Sequence, residues 1–314
     1  MKVEWGTEAC LPDVRFVSLP VQSLSIANVL NRKKDIKDYS ESMSDAGSIR
    51  YSFPNARVLV VDDLHTNLKV TEGLLAPYLV TVDSCLSGRE AVRLVKQNEY
   101  DIVFLDQMMP EMDGIEAAAH IREWEKEQKN ESGRRNVRII ALTANAVSGA
   151  HEMFIEKGFD DFLAKPIDIS KLDETLNRWI SEDKRERGFG KKEITEDVQL
   201  PFINGIDIQK GIRMTGGTEE GYRSVLSIFR IDAQKHLRFL LKAPEENDLS
   251  EFIINVHAIK SASASIGAAE ISADAERLET AGRNRDMDFI HENLDKFVER
   301  LIALINELSF LVRH

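Results

Sequence analysis

"VLVVDD", residues 58–63, is a short run of mostly β-branched residues that stops on two adjacent aspartates. With Arg57 ahead of it, the run has the length and composition of a strand buried on both faces. Four similar runs follow: "VTVDS" (80–84), "DIVFL" (101–105), "VRIIAL" (137–142) and the weaker "DFLA" (161–164). Amphipathic helical stretches separate them. Residues 57–180 therefore read as an α/β domain, a doubly wound five-stranded parallel sheet with helices on both faces. The last helix is expected to start near Ser170, which has Asp173 at capping-box spacing in "DISKLDETL".

In such sheets ligand chemistry collects beyond the carboxyl ends of the strands. Here the first strand ends in Asp62 and Asp63, the third in Asp106, the fourth runs into Thr143 and the fifth leads to Lys165. Carboxylates brought together repel, at ~4 Å and an effective dielectric of ~20 by about 4 kcal/mol per pair. A bound cation removes that penalty, and all-oxygen ligands favour Mg²⁺. With the cluster neutralised, one carboxylate can attack a phosphoryl group while Lys165 and the Thr143 hydroxyl hold the transferred oxygens.

These residues sit in segments that match a family. "VLVVDD" (58–63), "DIVFLDQMMPEMDG" (101–114), "ALTA" (141–144) and "GFDDFLAKP" (158–166) resemble, in order, the receiver domain of two-component signalling, whose fold is flavodoxin-like. The resemblance implies that Asp106 is phosphorylated and that Asp62 and Asp63 hold Mg²⁺ with help from the main-chain carbonyl of Met108. It also implies that Lys165 pairs with the phosphate, that Thr143 and Phe162 form a switch pair, and that the Lys165–Pro166 bond is cis. Leu64 departs from the family, where a polar residue is common. Two rival enzymes fail on the same residues. A haloacid-type phosphatase needs an aspartate where Met108 stands, and a dinucleotide-binding enzyme needs G-x-G-x-x-G where this chain has "DDLHTN".

The charge-dense stretch 181–201 reads as a linker, and beyond it the strand pattern gives way to helical periodicity. Ile290, Leu294, Phe297, Leu301, Leu304 and Leu308 form one apolar stripe, and helical stretches near 218–240, 249–266 and 270–283 complete an antiparallel all-α helical bundle. In "VHAIKSASASIGA" (256–268), Phe252, Val256, Ile259, Ser263 and Ile266 share an inward face, and His257 lies about 140° around the helix from Phe252. The imidazole is therefore expected to point outward with room around it, beside Lys260, Ser261, Ala264 and Ala268. A ring nitrogen there is a nucleophile near neutral pH, and Lys260 one turn away can steady a phosphoryl group. "HAIKSASASIG" (257–267) and "GIDIQKGIRMTGGTEEGYRSVLSIF" (205–229) resemble the histidine-phosphotransfer domain, with Ser261 where that family often has glycine. No acidic residue is placed to orient His257, and neither Ser261 nor Ser263 lies on a nucleophile elbow, which argues against a hydrolase. His65, His120, His151, His236, His291 and His314 are read as surface residues.

The remaining features bound the function. Of 314 residues, 53 are acidic and 41 basic, a formal charge of −12, which disfavours nucleic acid as a partner. Cys10 and Cys85 have no metal or redox spacing. No apolar run reaches membrane-spanning length and no signal peptide stands at the N-terminus, so direct membrane insertion is not expected and a cytoplasmic location is. "FVSLPVQSLSIANVLN" (16–31) resembles the last strand and helix of another receiver, with Leu19 in place of its lysine, as in the tail of a hybrid histidine kinase. The organisation expected is an N-terminal segment (1–55), a receiver (56–181), a charged linker (182–200) and a histidine-phosphotransfer domain (201–314). Together these readings predict a phosphorelay without ATP chemistry. An upstream histidine kinase phosphorylates Asp106, Asp106 exchanges with His257, and a downstream response regulator receives the group. The alternatives make phospho-Asp106 a binding switch or a phosphate sink, with His257 never phosphorylated.

Overall fold

The computed structural model describes residues 51–128, 136–144, 150–187, 200–242, 244–245 and 249–311. The expected N-terminal segment up to residue 50, Cys10 and His314 lie outside them.

The five expected strands form one sheet: β1 (Arg57–Val61), β2 (Thr81–Cys85), β3 (Ile102–Asp106), β4 (Arg138–Thr143) and β5 (Asp161–Ala164). They are all parallel in the order β2-β1-β3-β4-β5. Alternate side chains serve opposite faces, as pleating requires. Val58, Val60, Ile102, Phe104, Ile140 and Leu142 pack with helices α1 (His65–Leu75) and α5 (Ile169–Trp179). Leu59, Val61, Val103, Leu105, Ile139 and Ala141 pack on the other face with α2 (Gly88–Gln97), α3 (Gly114–Gln128) and α4 (Ala150–Glu156). Both faces are covered, which explains why the strands read as continuous apolar runs.

The register positions the polar residues. Val61 pairs with Leu105, so Asp62 follows beside Asp106, and Asp106 pairs with Leu142. Thr143 pairs with Ala164, the residue before Lys165. The chain reverses its direction of travel across the sheet between β1 and β3, which opens the crevice at their carboxyl ends.

Two local expectations are corrected. The N-cap of α5 is Asp168, whose carboxylate accepts from the Lys171 amide, while Ser170 lies inside the helix. The better acceptor two residues earlier captures the free amide first. The stretch expected to be linker also begins with structure. Glu186–Arg187 pair antiparallel with Tyr51–Ser52, and Lys184 binds Asp101 at 2.7 Å, so residues on either side of the sheet domain close over its lower end. Phe53 is fully buried there.

The second part is helical: α6 (Ile208–Met214), α7 (Glu219–Leu240), α8 (Leu249–Ser265), α9 (Ala269–Asn284) and α10 (Met287–Leu311). The four long helices close a ring, with α7 on α8, α8 on α9, α9 on α10 and α10 back on α7. Ile290, Leu294, Phe297, Leu301, Leu304 and Leu308 form the buried stripe of α10. Thr218 caps α7 by accepting from the Gly221 amide. Sheet domain and bundle fall within one compact unit, in which α1 packs against α7 and α8.

Candidate functional site

Asp62, Asp63 and Asp106 come together at the crevice, with one carboxylate oxygen of each within 4.8 Å of the others. Asp62 is held by two donors to the same oxygen, the Leu64 amide and the Asn67 side-chain amide, each at 3.0 Å. Its second oxygen meets Lys165 Nζ at 2.6 Å, and the same ammonium lies 2.8 Å from Asp106. Lys165 follows β5 directly and is joined to Pro166 by a cis bond. Gly114 lets α3 start against the pocket, since a Cβ there would meet the Asp106 carbonyl at 2.1 Å.

The electrostatics follow from burial. Asp63 is pushed up to about 7, first by burial and then by its neighbours Asp62 and Asp106. Asp106 is raised to about 6 by burial, with Lys165 opposing and Asp62 adding to the rise. The two flanking carboxylates hold the Lys165 ammonium above its ordinary range against the cost of its burial. Lys165 brings one positive charge to three carboxylates, so the pocket keeps an acidic excess that suits an added cation with oxygen preference. Thr143 is buried and its hydroxyl bonds Gln107 at 2.9 Å, while Phe162 stacks on Phe154 at 5.7 Å. Cys85 nearby is a buried thiol pushed up to about 11, hence inert near neutral pH.

His257 is not in open solvent, contrary to the expectation from its helical position. It is 7% exposed. Phe252, Val256, Ile259, Ser263 and Ile266 do face the bundle interior, yet His257, Lys260, Ser261 and Ala268 are buried too. The reason is that α8 is covered on its second side. Asn67 of α1 donates to Ser261 Oγ at 3.2 Å, and α1 packs along this side of α8. The receiver lies over the helix that carries the imidazole.

A second correction concerns what holds the ring. Glu279 of α9 meets His257 Nδ1 at 3.1 Å, Lys260 Nζ at 2.6 Å and Arg283 Nη2 at 2.6 Å. Burial would raise its pKa, but these three partners win and hold the carboxyl far below the usual carboxylate range. A carboxylate accepting at Nδ1 fixes the proton there and leaves Nε2 as the nucleophilic nitrogen of the neutral ring. Lys260 is therefore engaged with Glu279. No local motif reveals Glu279, which lies 22 residues along the chain. One signal was available: it stands four residues after the buried Ala275 and next to the buried Leu278, so it occupies the inward stripe of its helix. Arg283 continues the contact and reaches Met108 Sδ at 3.1 Å, which ties the loop after β3 to the bundle.

Among the other histidines, His65, His120 and His291 are exposed as expected. His236 is not a surface residue: it is buried, its Nδ1 lies 2.8 Å from Asn255, and burial lowers its pKa. It sits on the inward stripe of α7, two turns after Phe229 and one turn after Ala233.

The arrangement defines a class, a receiver joined to a histidine-bearing bundle. A family model of the response regulator receiver domain matches residues 58–177, and one of the Hpt domain matches residues 224–309. The chain carries a receiver domain followed by an Hpt domain. Curated proteins similar to it include sensor and histidine kinases. The sensor protein GacS of Pseudomonas syringae pv. syringae is 28% identical over 79% of this chain and 27% of that protein. The signal transduction histidine-protein kinase BarA of Escherichia coli K12 is 32% identical over 54% of this chain and 18% of that protein. The chain thus spans a minor part of these relatives' length. Among solved structures, the magnesium-bound receiver domain of sensor histidine kinase PA1611 from Pseudomonas aeruginosa PAO1 has 36% identity and a TM-score of 0.34, covering 40% of this chain and 96% of that one. The co-crystal of the Saccharomyces cerevisiae phosphotransfer protein Ypd1 with the Ssk1 receiver domain has 29% identity and a TM-score of 0.38, over 40% of this chain and 90% of that one. Among the described residues no helix is long and apolar enough to cross a membrane.

Proposed function

We propose that Asp106 accepts a phosphoryl group from an upstream histidine kinase and exchanges it with His257, which hands it to the receiver domain of a downstream response regulator. The observation that carries this reading is the apposition of the two sites across one interface, where Asn67 bridges Asp62 to Ser261 on the helix that bears His257 and Arg283 bridges Glu279 to Met108. Mg²⁺ at Asp62, Asp63 and Asp106, with the main-chain carbonyl of Met108, would neutralise the charge on the transferred group. The acidic excess of the cluster supports that donor set.

In the transfer from bundle to receiver, the bond between phosphorus and His257 Nε2 breaks as a bond to an Asp106 carboxylate oxygen forms. The lone pair returns to Nε2, and Glu279 stabilises the ring throughout by holding its Nδ1 proton. Lys165 is placed to follow the charge as it passes to the phosphoryl oxygens, and the Thr143 hydroxyl to bind one of them. This is catalysis by positioning and charge neutralisation. Lys260 acts through Glu279 rather than on the phosphoryl group.

Labelled transfer from candidate histidine kinases to the wild-type chain and to Asp106→Asn and His257→Gln variants tests the reading. Label should enter the His257→Gln chain, remain base-labile and go no further, whereas the Asp106→Asn chain should take none from the kinase. Passage of label to a downstream receiver by the His257→Gln chain would refute it.

A further inference from the structure

Helix α1 starts without a cap of its own. Leu64 occupies the N-cap position with no side-chain acceptor, and the first turn holds no acidic residue. Free amides at a buried helix start need partners. The partner comes from the bundle: Asp232 of α7 accepts from the Thr66 amide at 2.8 Å and from the Thr66 hydroxyl at 2.7 Å. Thr66 is fully buried and Asp232 is 5% exposed, so this bond lies inside the interface. An acidic side chain there also complements the positive end of the helix dipole.

The far end of α1 carries an independent sign of the same fit. Gly73 sits in the last turns of the helix, where glycine is unfavourable unless space demands it. A Cβ on Gly73 would lie 2.6 Å from the Thr215 carbonyl, and one on Gly216, which has φ +98°, would lie 2.5 Å from the Gly73 carbonyl. Backbone meets backbone at this point.

We propose that Asp232 is the residue by which this chain's bundle selects its own receiver, capping α1 across the interface, with Gly73 and Gly216 admitting only a close-fitting partner. The occupant of the α1 face is the Hpt domain of the same chain, because the missing cap at Leu64 and the supplied one at Asp232 are matched to each other. The bond also has a consequence for the pocket, since the turn that Asp232 holds contains Asn67, whose amide holds Asp62. Asp232 is a positioning residue that fixes the acid pocket through α1.

The test is amide hydrogen exchange on the full chain, which needs no phosphate and so succeeds or fails separately from the relay. In Asp232→Ala, exchange over residues 64–68 should rise at least tenfold while β1, β3, α9 and α10 keep wild-type protection. Asp232→Asn, which keeps an acceptor oxygen, should retain most of the protection. Gly73→Ala normally favours a helix; here it should expose α1 to exchange as Asp232→Ala does. Protection at 64–68 should not change over a hundredfold dilution. Unchanged exchange in Asp232→Ala, slower exchange of α1 in Gly73→Ala, or protection that fades on dilution, which would assign the face to a second copy, would each overturn the proposal.

Discussion

The acid pocket and the imidazole site solve the same problem of holding charge out of water, and they do so with different parts of the chain. The pocket is assembled by strand ends that the sheet register brings side by side, so each contributor follows its own strand. The imidazole site is assembled by a ring on α8, a carboxylate on α9 and a cover supplied by another domain. The first is set by a local pattern repeated four times, and the second by packing between elements distant in sequence. Removing a member should therefore have different consequences in the two places.

The largest expected effect falls on the imidazole site. Glu279→Ala leaves Lys260 buried without its carboxylate and frees His257, and should lower stability by roughly 3–5 kcal/mol, measured by urea unfolding. Because this carboxyl is held below its ordinary pKa, its contribution is present above that ordinary value and is lost as pH falls below it toward the depressed folded value. The wild-type chain should lose stability more steeply with acid than the variant does. Equal acid limbs would show that the three partners of Glu279 contribute nothing net.

Next come the two lysines, which the comparison separates. Lys165→Met removes the ammonium that touches Asp62 and Asp106 and should slow phosphorylation of Asp106 by a small phosphodonor about 10²–10³-fold. Lys260→Met acts only through Glu279 and should slow transfer from His257 less than tenfold, read by single-turnover kinetics. An effect of Lys260 as large as that of Lys165 would return it to the role first expected from its spacing.

A smaller effect, opposite in sign for stability and for metal, belongs to Asp63. Its folded pKa is raised to about 7, so the metal-free fold is penalised progressively as pH climbs from the ordinary carboxylate value to neutrality. Asp63→Asn should therefore raise the melting temperature of the metal-free chain, and more at pH 8 than at pH 5. The same variant should weaken Mg²⁺ binding in a calorimetric titration. The least effect is a cap: Asp168→Ala should cost about 1 kcal/mol, whereas Ser170→Ala should stay within about 0.5 kcal/mol, both by urea midpoint.

Much of the fold was legible because both of its periodicities are plain. The continuous β-branched runs betray a sheet covered on both faces, and the spacing of Ile290 to Leu308 betrays a helix with one buried side. Asp62, Asp63, Asp106, Thr143 and Lys165 were legible because a strand end is visible in sequence and a parallel sheet aligns such ends. His236 was misread because a single histidine carries no periodicity of its own; its burial follows from Phe229 two turns earlier and Ala233 one turn earlier. Ser170 was preferred to Asp168 because capping-box spacing does not say which acceptor reaches the first free amide.

By itself, the sequence determined the strand-end carboxylates, the lysine beside them and the helix that carries His257, since each depends on residues within a few positions of one another. Only the tertiary structure decided that Glu279 grips the ring, that Asp232 caps a helix 166 residues away, and that the histidine lies under the receiver rather than in water. Those contacts join elements whose separation along the chain carries no pattern. They exist because buried amides, charges and ring nitrogens must each find a partner, and the partner is whichever group the packing brings near.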